Sequence, residues 1–202
     1  MNRGKFIVLE GLDGSGKTTQ AKRLSTYLGK KNYSSLVTKE PTNSPIGLLI
    51  REILHKKYST SPNTLALLYA ADRSEHISSE VEPALKNGTH VICDRFVYSH
   101  LAYQGAFLPQ PTIISYNSHS LITPDLTIFI DTSPEECTRR IVTNRKSLEL
   151  FDGLEHANNL RANFFAAFEM FGSQMPVKIV NGNQSEDKIF SHLLSIVEEL
   201  LS

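Results

Sequence analysis

Short apolar runs alternate along this chain with longer segments of helical periodicity. Five runs have few polar positions and are rich in β-branched and aromatic residues: Phe6–Leu9, Leu36–Thr38, His90–Cys93, Leu126–Ile130 and Val177–Val180. Runs without a polar residue at every second position are typical of strands that are buried on both faces of a parallel sheet. The pattern therefore predicts a five-stranded, mostly parallel sheet.

The segments between these runs predict helices that flank the sheet. They are Thr18–Lys31, Ile46–His55, Asn63–Asn87, Glu135–Asn144, His156–Phe171 and Glu186–Leu201, with one more helix after Phe96. Ser61-Pro62 and Ser133-Pro134 suit helix starts, and Glu136 is placed to complete a capping box with Ser133. Strands that alternate with helices predict a three-layer α/β fold with right-handed crossovers.

Composition limits the class of protein further. The chain has 202 residues, 40% of them apolar and 21% charged, which suits one globular domain over residues 1–202. Lys plus Arg and Asp plus Glu both number 21. Proteins that bind a nucleic-acid backbone normally carry a basic excess, so we expect no nucleic-acid partner.

The remaining bulk features indicate a cytoplasmic protein without a structural metal. The first predicted strand begins directly after Lys5, which leaves no room for a signal peptide, and no apolar stretch reaches membrane-spanning length. Cys93 lies in an apolar run and is expected to be a small buried residue. Seven histidines without i,i+4 pairing and two cysteines predict no structural metal site.

The strongest chemical signal is the pattern G-x-x-x-x-G-K-[ST] over residues 11–18, between a predicted strand and a predicted helix. Its glycines let backbone N–H groups converge on phosphate oxygens at the positive end of the new helix. Lys17 can reach the β- and γ-phosphates of ATP, and the Thr18 hydroxyl can bind Mg²⁺. The residues predicted to hold ATP here are Gly11, Leu12, Asp13, Gly14, Ser15, Gly16, Lys17, Thr18 and Thr19.

A phosphate-binding loop of this kind, a P-loop, identifies the phosphate donor but not the reaction. GTPases also carry an N/T-K-x-D segment and a separate D-x-x-G segment, and neither occurs here with the required spacing. Motor ATPases need a longer chain. The pattern therefore favours a kinase that acts on a small molecule.

Asp94-Arg95 directly follows a predicted buried strand. The carboxyl ends of strands are where ligands bind in open α/β sheets, so this pair is a candidate for the acceptor site. An internal ion pair at a strand end is the alternative explanation.

Four segments in this order resemble the thymidylate kinase family. They are the Asp-containing P-loop, Glu40-Pro41 after the second strand, Tyr69-Ala70-Ala71-Asp72-Arg73 in a helix, and Asp94-Arg95-Phe96 with the later Tyr103-Gln104-Gly105. The resemblance extends from Lys5 to the last helix. It implies a P-loop kinase that uses ATP and Mg²⁺ to phosphorylate thymidine monophosphate, and it implies a homodimer.

The resemblance also assigns roles at the base and sugar of the acceptor. Tyr69 would stack on thymine and Arg73 would donate to its O4 carbonyl, which suits two residues four apart on one helix face. Tyr103 would press against C2′ of the sugar and exclude a ribose hydroxyl. The other residues expected around the acceptor are Asp13, Glu40, Pro41, Ser99, His100 and Gln104.

Phosphate and metal contacts follow from the same resemblance. Arg51 and Arg95 would hold the acceptor phosphate, which a planar guanidinium matches better than an ammonium group does. Asp94 would orient Mg²⁺ waters or Arg95, so that Thr18 and Asp94 form the predicted metal site. Arg51 could equally be a surface helix residue, and Tyr69 a core aromatic.

A short lid is expected at about residues 145–155. The resemblance implies that a basic lid residue neutralises the transferring phosphoryl group, because the P-loop has no arginine. Arg145 and Lys146 are the nearest candidates, with Arg139 and Arg140 closer to the helix, and Arg140 is also expected to contact ATP. The chain departs from the family at Gly153, where members often carry arginine, and at His100, where they often carry a small polar residue. Lys17, Asp13, Arg95 and Arg145 are the predicted catalytic residues.

Two other functions stay open at this point. The chain could phosphorylate another nucleoside monophosphate or a deoxynucleoside, or it could be a regulatory module that binds ATP without transferring phosphate. The arginines predicted on the acceptor side would have no purpose in such a module.

Overall fold

Five parallel strands form the central layer of the structure, a computed structural model that describes residues 3–118, 122–144 and 153–202. They are β1 (Phe6–Glu10), β2 (Ser35–Lys39), β3 (His90–Asp94), β4 (Leu126–Asp131) and β5 (Val177–Asn181). Their order is β2-β3-β1-β4-β5, and every pairing between described strands is parallel. This confirms the five predicted strands and the three-layer α/β fold class.

Nine α-helices lie between and after the strands within the described ranges. They are α1 (Lys17–Lys30), α2 (Pro45–Leu54), α3 (Pro62–His76), α4 (Glu82–Lys86), α5 (Val97–Gln104), α6 (Gln110–Asn117), α7 (Pro134–Asn144), α8 (Leu154–Phe171) and α9 (Glu186–Leu201). None of the helices in these ranges has both the length and the apolar character needed to cross a membrane.

Alternate side chains of the buried strand β1 enter two different cores. Phe6 and Val8 pack in a cluster with residues of α5 and α8, including Phe164, whereas Ile7 and Leu9 pack in a second cluster with residues of α1 and α9. All five residues of β1 are buried, as expected for a central parallel strand covered on both faces. The helices therefore form one layer on each side of the sheet.

The predicted helix Asn63–Asn87 is divided in the structure. Helix α3 ends at His76, a π-helical turn covers Ile77–Val81, and α4 continues to Lys86. Pro83 lies just after the wide turn and has no N–H to donate to the carbonyl four residues earlier. The helical periodicity was thus identified correctly, while the local change of hydrogen-bond pattern was not.

Two other local expectations were incomplete. Helix α6 was not predicted, although Pro111 near its start is a common signal for a first helical turn. The Ser133 hydroxyl accepts from the Glu136 N–H at 3.4 Å, but the Glu136 carboxylate pairs with Arg140 instead of closing a capping box. The Ser133 N–H is donated to Asn183 Oδ1. The partner of the Ser133 N–H is therefore a distant asparagine, and the partner of the Glu136 carboxylate is an arginine one helical turn later, so the predicted capping box does not form.

The layers create a crevice at the carboxyl ends of β1 and β3. These strands are neighbours, but α1 follows β1 into one core and α5 enters the other core soon after β3. Helices that leave adjacent strands toward opposite faces open a cleft between them, and ligands bind at such points in α/β sheets. The P-loop and the Asp94-Arg95 pair both lie there.

Candidate active site

One cavity of about 700 Å³ contains nearly all the residues that the sequence assigned to function. The described residues of that set that line it are Asp13, Gly14, Ser15, Gly16, Lys17, Thr18, Thr19, Glu40, Pro41, Arg51, Tyr69, Arg73, Asp94, Arg95, Ser99, His100, Tyr103, Gln104 and Arg140. Gly11 and Leu12 lie in the same loop and contact Lys17 through their carbonyl oxygens. Arg145 and Lys146 lie outside the described residues.

The loop between β1 and α1 wraps closely around its own backbone. Gly14 has a φ of 81°, and a Cβ atom added to it would lie 2.6 Å from the carbonyl oxygen of Cys137. A side chain is excluded at that position by both the backbone conformation and the space. Glycine at this variable position of the motif is therefore required by the contact with α7.

Lys17 folds back over this loop. Its Nζ donates to the carbonyl oxygens of Gly11 at 2.9 Å and Leu12 at 2.7 Å, and the side chain is buried. Burial lowers the pKa of Lys17 to about 8, and repulsion from the Arg95 cation acts in the same direction. An added anion near Nζ would favour the charged form again, because opposite charges raise the pKa of an amine.

Thr18 and Asp94 provide adjacent oxygen ligands at the cavity floor. The Thr18 hydroxyl donates to Asp94 Oδ2 in a short hydrogen bond. Hydroxyl and carboxylate oxygens are ligands that Mg²⁺ accepts, and Mg²⁺ commonly combines one or two protein oxygens with phosphate oxygens and water. The described residues contain no group of three or more His, Cys, Asp and Glu side chains able to hold a metal alone. This pair fits a metal that arrives with a nucleotide.

Arg95 lies between the P-loop and α5. Its Nη2 donates to Asp13 Oδ1 at 2.7 Å and to Tyr103 Oη at 3.0 Å, while its Nη1 donates to Ser99 Oγ at 2.8 Å. Tyr103 Oη in turn donates to Asp13 Oδ2 at 3.2 Å. The internal ion pair considered for Asp94-Arg95 does not form, because each residue contacts the P-loop segment instead.

Glu40 and Arg73 form a buried ion pair on the other side of the cavity. Arg73 Nη2 donates to Glu40 Oε2 at 2.6 Å, and His76 Nδ1 donates to Glu40 Oε1 at 3.1 Å. Arg73 Nη1 also donates to Asn117 Oδ1 at 2.6 Å, whereas Arg73 Nε has no hydrogen-bond partner among the described residues. Removing one partner of a buried ion pair typically lowers the free energy of unfolding by about 3–5 kcal/mol. The network is therefore costly to break, and it forms a rigid wall of the cavity.

His100 contributes to that wall as a neutral acceptor. Arg73 Nη1 donates to His100 Nδ1 at 3.0 Å, and the His100 ring lies tilted against Tyr69 with 5.5 Å between ring centroids. Burial and the nearby Arg73 cation hold the pKa of His100 well below its usual range. The histidine that departs from the family pattern therefore adds no charge to the cavity.

Gln104 offers hydrogen-bonding groups toward the cavity. The residue is 1% exposed, and within the described part of the chain neither its Oε1 nor its Nε2 has a hydrogen-bond partner. Buried amide groups without partners are unusual in folded proteins, since each costs free energy that a bond would recover. A polar ligand in the cavity could satisfy both atoms.

Two arginines at the cavity edge are bound to backbone oxygens. Arg51 Nη2 donates to the Pro41 carbonyl at 2.7 Å and to Asn43 Oδ1 at 3.0 Å, so it supports the loop after β2. Arg140 Nη1 donates to the Gly14 carbonyl at 3.2 Å. Arg51 lines the cavity, and its role in binding the acceptor phosphate stays a prediction.

Several residues that shape the site were missed by the sequence reasoning. Asp72 accepts from the Thr42 N–H at 2.7 Å and from the Ser44 hydroxyl at 2.9 Å, and it thereby fixes the loop after β2. Asp72 and His76 could have been found by helical spacing, because Asp72 lies three residues after Tyr69 and His76 three residues after Arg73. Glu10, at the end of β1, and Asn117, in the unpredicted helix α6, gave no comparable signal.

Comparison with known proteins gives consistent matches over the chain. A family model described as thymidylate kinase matches residues 9–192. A protein named probable thymidylate kinase from Pyrococcus horikoshii is 43% identical, with 98% of each chain covered. Proteins named thymidylate kinase from Clostridium novyi and Carboxydothermus hydrogenoformans are 36% and 35% identical, with 96–98% of this chain and 98% of each relative covered.

We predict that ATP binding, measured without an acceptor, weakens as the pH rises through about 8, where Lys17 loses its proton in the ligand-free protein. Above this pH the association constant for ATP should fall by about tenfold per pH unit, because only the charged amine attracts phosphate strongly. Isothermal titration calorimetry at constant ionic strength measures it. Lys17→Arg, whose guanidinium stays charged, should remove the pH dependence; an unchanged profile in that variant would assign it to another group.

Proposed function

Because this chain belongs to the thymidylate kinase family and is therefore a phosphotransferase, we propose that it transfers the γ-phosphate of ATP to thymidine monophosphate. The products are ADP and thymidine diphosphate. One observation carries the proposal: Arg95, on the acceptor side, donates at 2.7 Å to Asp13 of the P-loop. A phosphate held by Arg95 would thus lie beside a triphosphate held by the loop.

The donor half consists of the loop amides, Lys17 and the Thr18–Asp94 pair. Amide N–H groups and the start of α1 bind phosphate oxygens, and the Lys17 ammonium moves from carbonyl oxygens to the β- and γ-phosphates. Thr18 and Asp94 would hold Mg²⁺, consistent with their oxygen ligands. When bound, Mg²⁺ supplies positive charge that offsets the charge developing on the transferring phosphoryl group.

In the acceptor half, Arg95 and Arg51 hold the monophosphate, and the buried wall binds the base. Tyr69 stacks on thymine, while Gln104 uses its amide on the polar edge of the ring. Arg73 has three N–H contacts with protein acceptors, so its Nε and remaining Nη2 proton are the groups left for the O4 carbonyl. A pocket whose polar groups pair with the polar atoms of thymine would leave those groups without partners if another base bound. This cost is how the cavity would select one base.

Transfer then requires positioning and charge neutralisation more than proton transfer. An oxygen of the acceptor monophosphate attacks the γ-phosphorus, and the bond between that phosphorus and the β–γ bridging oxygen breaks as ADP leaves. The attacking oxygen is already anionic, so no general base is needed. Asp13 keeps Arg95 in place and lies near the 3′-hydroxyl of the acceptor in this arrangement, and Lys17 stabilises the leaving group.

Other features of the proposal rest on family membership and composition. We infer a cytoplasmic homodimer with small nucleotide substrates and no nucleic-acid partner, supported by the family and by the balance of 21 basic and 21 acidic residues. The kinase is proposed to be one domain with a lid at about residues 145–155.

An acceptor panel tests the proposed activity directly. ADP release from ATP should be fastest, as kcat/KM, with thymidine monophosphate among the common nucleoside monophosphates and thymidine itself. The uracil analogue should be disfavoured by about 1–3 kcal/mol, because a methyl group in an apolar pocket contributes no more. Lys17→Ala, which should be inactive, controls for contaminating ATPases. A higher kcat/KM for another acceptor would overturn the assignment.

Tyr103 should control the choice between deoxyribose and ribose. In Tyr103→Ala, the ratio of kcat/KM for thymidine monophosphate to that for its ribose counterpart should fall by about tenfold, since the ring that excludes a 2′-hydroxyl is removed. Tyr103→Phe is the matched control, because it keeps the ring and loses only the hydroxyl that contacts Asp13 and Arg95. Equal ratios in the wild type and Tyr103→Ala would contradict this role.

The lid contributes one more cation, and we assign it to Arg145. Arg145→Ala should lower kcat by about 100-fold or more with little change in KM for the acceptor, since an arginine that meets the transferring phosphoryl group acts mainly in the transition state. Lys146→Ala is the neighbouring comparison and should have a smaller effect. If both variants keep wild-type kcat, Arg140 becomes the candidate for this charge.

A further inference from the structure

Glu10, the last residue of β1, has a completely buried carboxylate that none of the steps above uses. Its Oε1 accepts from the backbone N–H groups of Phe96 at 2.9 Å and Ser99 at 3.0 Å, and its Oε2 accepts from the Ser99 hydroxyl at 2.6 Å. Burial raises the pKa of Glu10, while these hydrogen bonds and the Arg95 cation oppose the shift. Three hydrogen-bond donors therefore surround the two Glu10 oxygens, and a carboxylate can only accept such bonds.

These bonds replace a cap that α5 lacks. No side chain within the helix-start segment caps it, so the N–H groups of Phe96 and Ser99 would have no acceptor without Glu10. A negative charge at the start of a helix is also favoured by the helix dipole. Glu10 therefore joins the end of β1 to the first turn of the helix that carries Ser99 and Tyr103.

Arg95 depends on this junction in two ways. Its backbone has a φ of 76°, a left-handed conformation that costs a residue with a Cβ about 1 kcal/mol or more unless neighbouring contacts hold it. The Arg95 N–H donates to the Leu9 carbonyl at 3.0 Å and the next N–H, that of Phe96, donates to Glu10, so β1 fixes both sides of the residue. Its side chain donates to Ser99 Oγ, whose proton goes to Glu10.

The same strand end begins the P-loop, because Gly11 follows Glu10 directly. Arg95 Nη1 approaches the Gly11 carbonyl at 3.4 Å, so the loop and the guanidinium share one short segment of backbone as their support. We propose that Glu10 is a positioning residue that holds Arg95 beside the P-loop and thereby sets the affinity for the acceptor monophosphate. This inference rests on the proposed function, in which Arg95 binds that phosphate.

Glu10→Gln tests the inference with little change of volume. A carboxamide can accept at one oxygen, so its NH₂ group would face Ser99 Oγ and turn that hydroxyl away from its present bond. We expect the dissociation constant of thymidine monophosphate, measured by calorimetry without ATP, to rise about tenfold, since hydrogen bonds to charged groups are strong. ATP binding should change less than about twofold, because the Glu10 carboxylate is hydrogen-bonded to Phe96 and Ser99 at the start of α5 rather than to the P-loop amides.

Asp125→Asn is a matched control for loss of stability alone. Asp125 accepts from the Phe6 N–H at 2.7 Å, so it is a carboxylate that holds the opposite end of the same strand. It should lower the thermal midpoint of unfolding and leave both dissociation constants unchanged. A Glu10→Gln protein that likewise loses only stability, or that binds both nucleotides equally less well, would overturn the positioning role.

Ser99→Ala supplies an independent arm and remains available if Glu10→Gln does not fold. It removes the hydroxyl that links Glu10 to Arg95, so acceptor binding should weaken in the same direction. In the double variant the effect should be smaller than the product of the single effects, because both changes break one connection. Multiplicative effects, or acceptor binding within about twofold of wild type in Ser99→Ala, would contradict the proposal.

The outcomes separate this inference from the proposed activity. A wild-type protein that binds thymidine monophosphate without phosphorylating it would overturn the proposed function alone, and the binding measurements would still decide the role of Glu10. Wild-type protein that phosphorylates this acceptor, with a Glu10→Gln variant that binds it normally, would overturn only the positioning role. Absence of acceptor binding in the wild type would overturn both.

Discussion

The contact between Arg95 and Asp13 is the interaction on which the arrangement of the cavity depends. It joins the loop after β1 to the segment after β3, and it forms because these strands are parallel neighbours whose carboxyl ends meet at one edge. In the proposed reaction two phosphorylated ligands repel one another, so fixed positive groups must lie between them. Arg95 and Lys17 are the cations proposed for that position, and the hydrogen bond to the Asp13 carboxylate holds the guanidinium in place.

The opposite wall of the cavity follows a different constraint, the cost of burying charge. Arg73 and Glu40 are both almost completely buried, which is tolerable only because each is paired and further hydrogen-bonded. His76 and Asn117 provide those additional bonds. The network leaves few groups of Arg73 for a ligand, so the proposed recognition of the base depends correspondingly more on Gln104.

Local sequence patterns were sufficient wherever one segment performs one task. Each of the five apolar runs became a strand, and the spacing of Tyr69 and Arg73 placed both on the cavity side of α3. Predictions weakened where the decisive partner is distant in sequence. The Ser133 N–H at the start of α7 is donated to Asn183, 50 residues later in the chain, and Asn117 became part of the site through a helix that has little amphipathic character.

Short segments were enough to predict the sheet, the phosphate-binding loop and the residue types proposed to surround the acceptor, because strand periodicity, glycine spacing and helix faces are local properties of the chain. Which side chains hold the others in place depends on contacts between distant segments. Glu10 shows the difference: along the chain it is one acidic residue before a glycine, and its function arises from the N–H groups of a helix that begins 87 residues later, at Val97. Folding alone brings such partners together, since the free energy of a buried carboxylate depends on donors that no nearby residue provides.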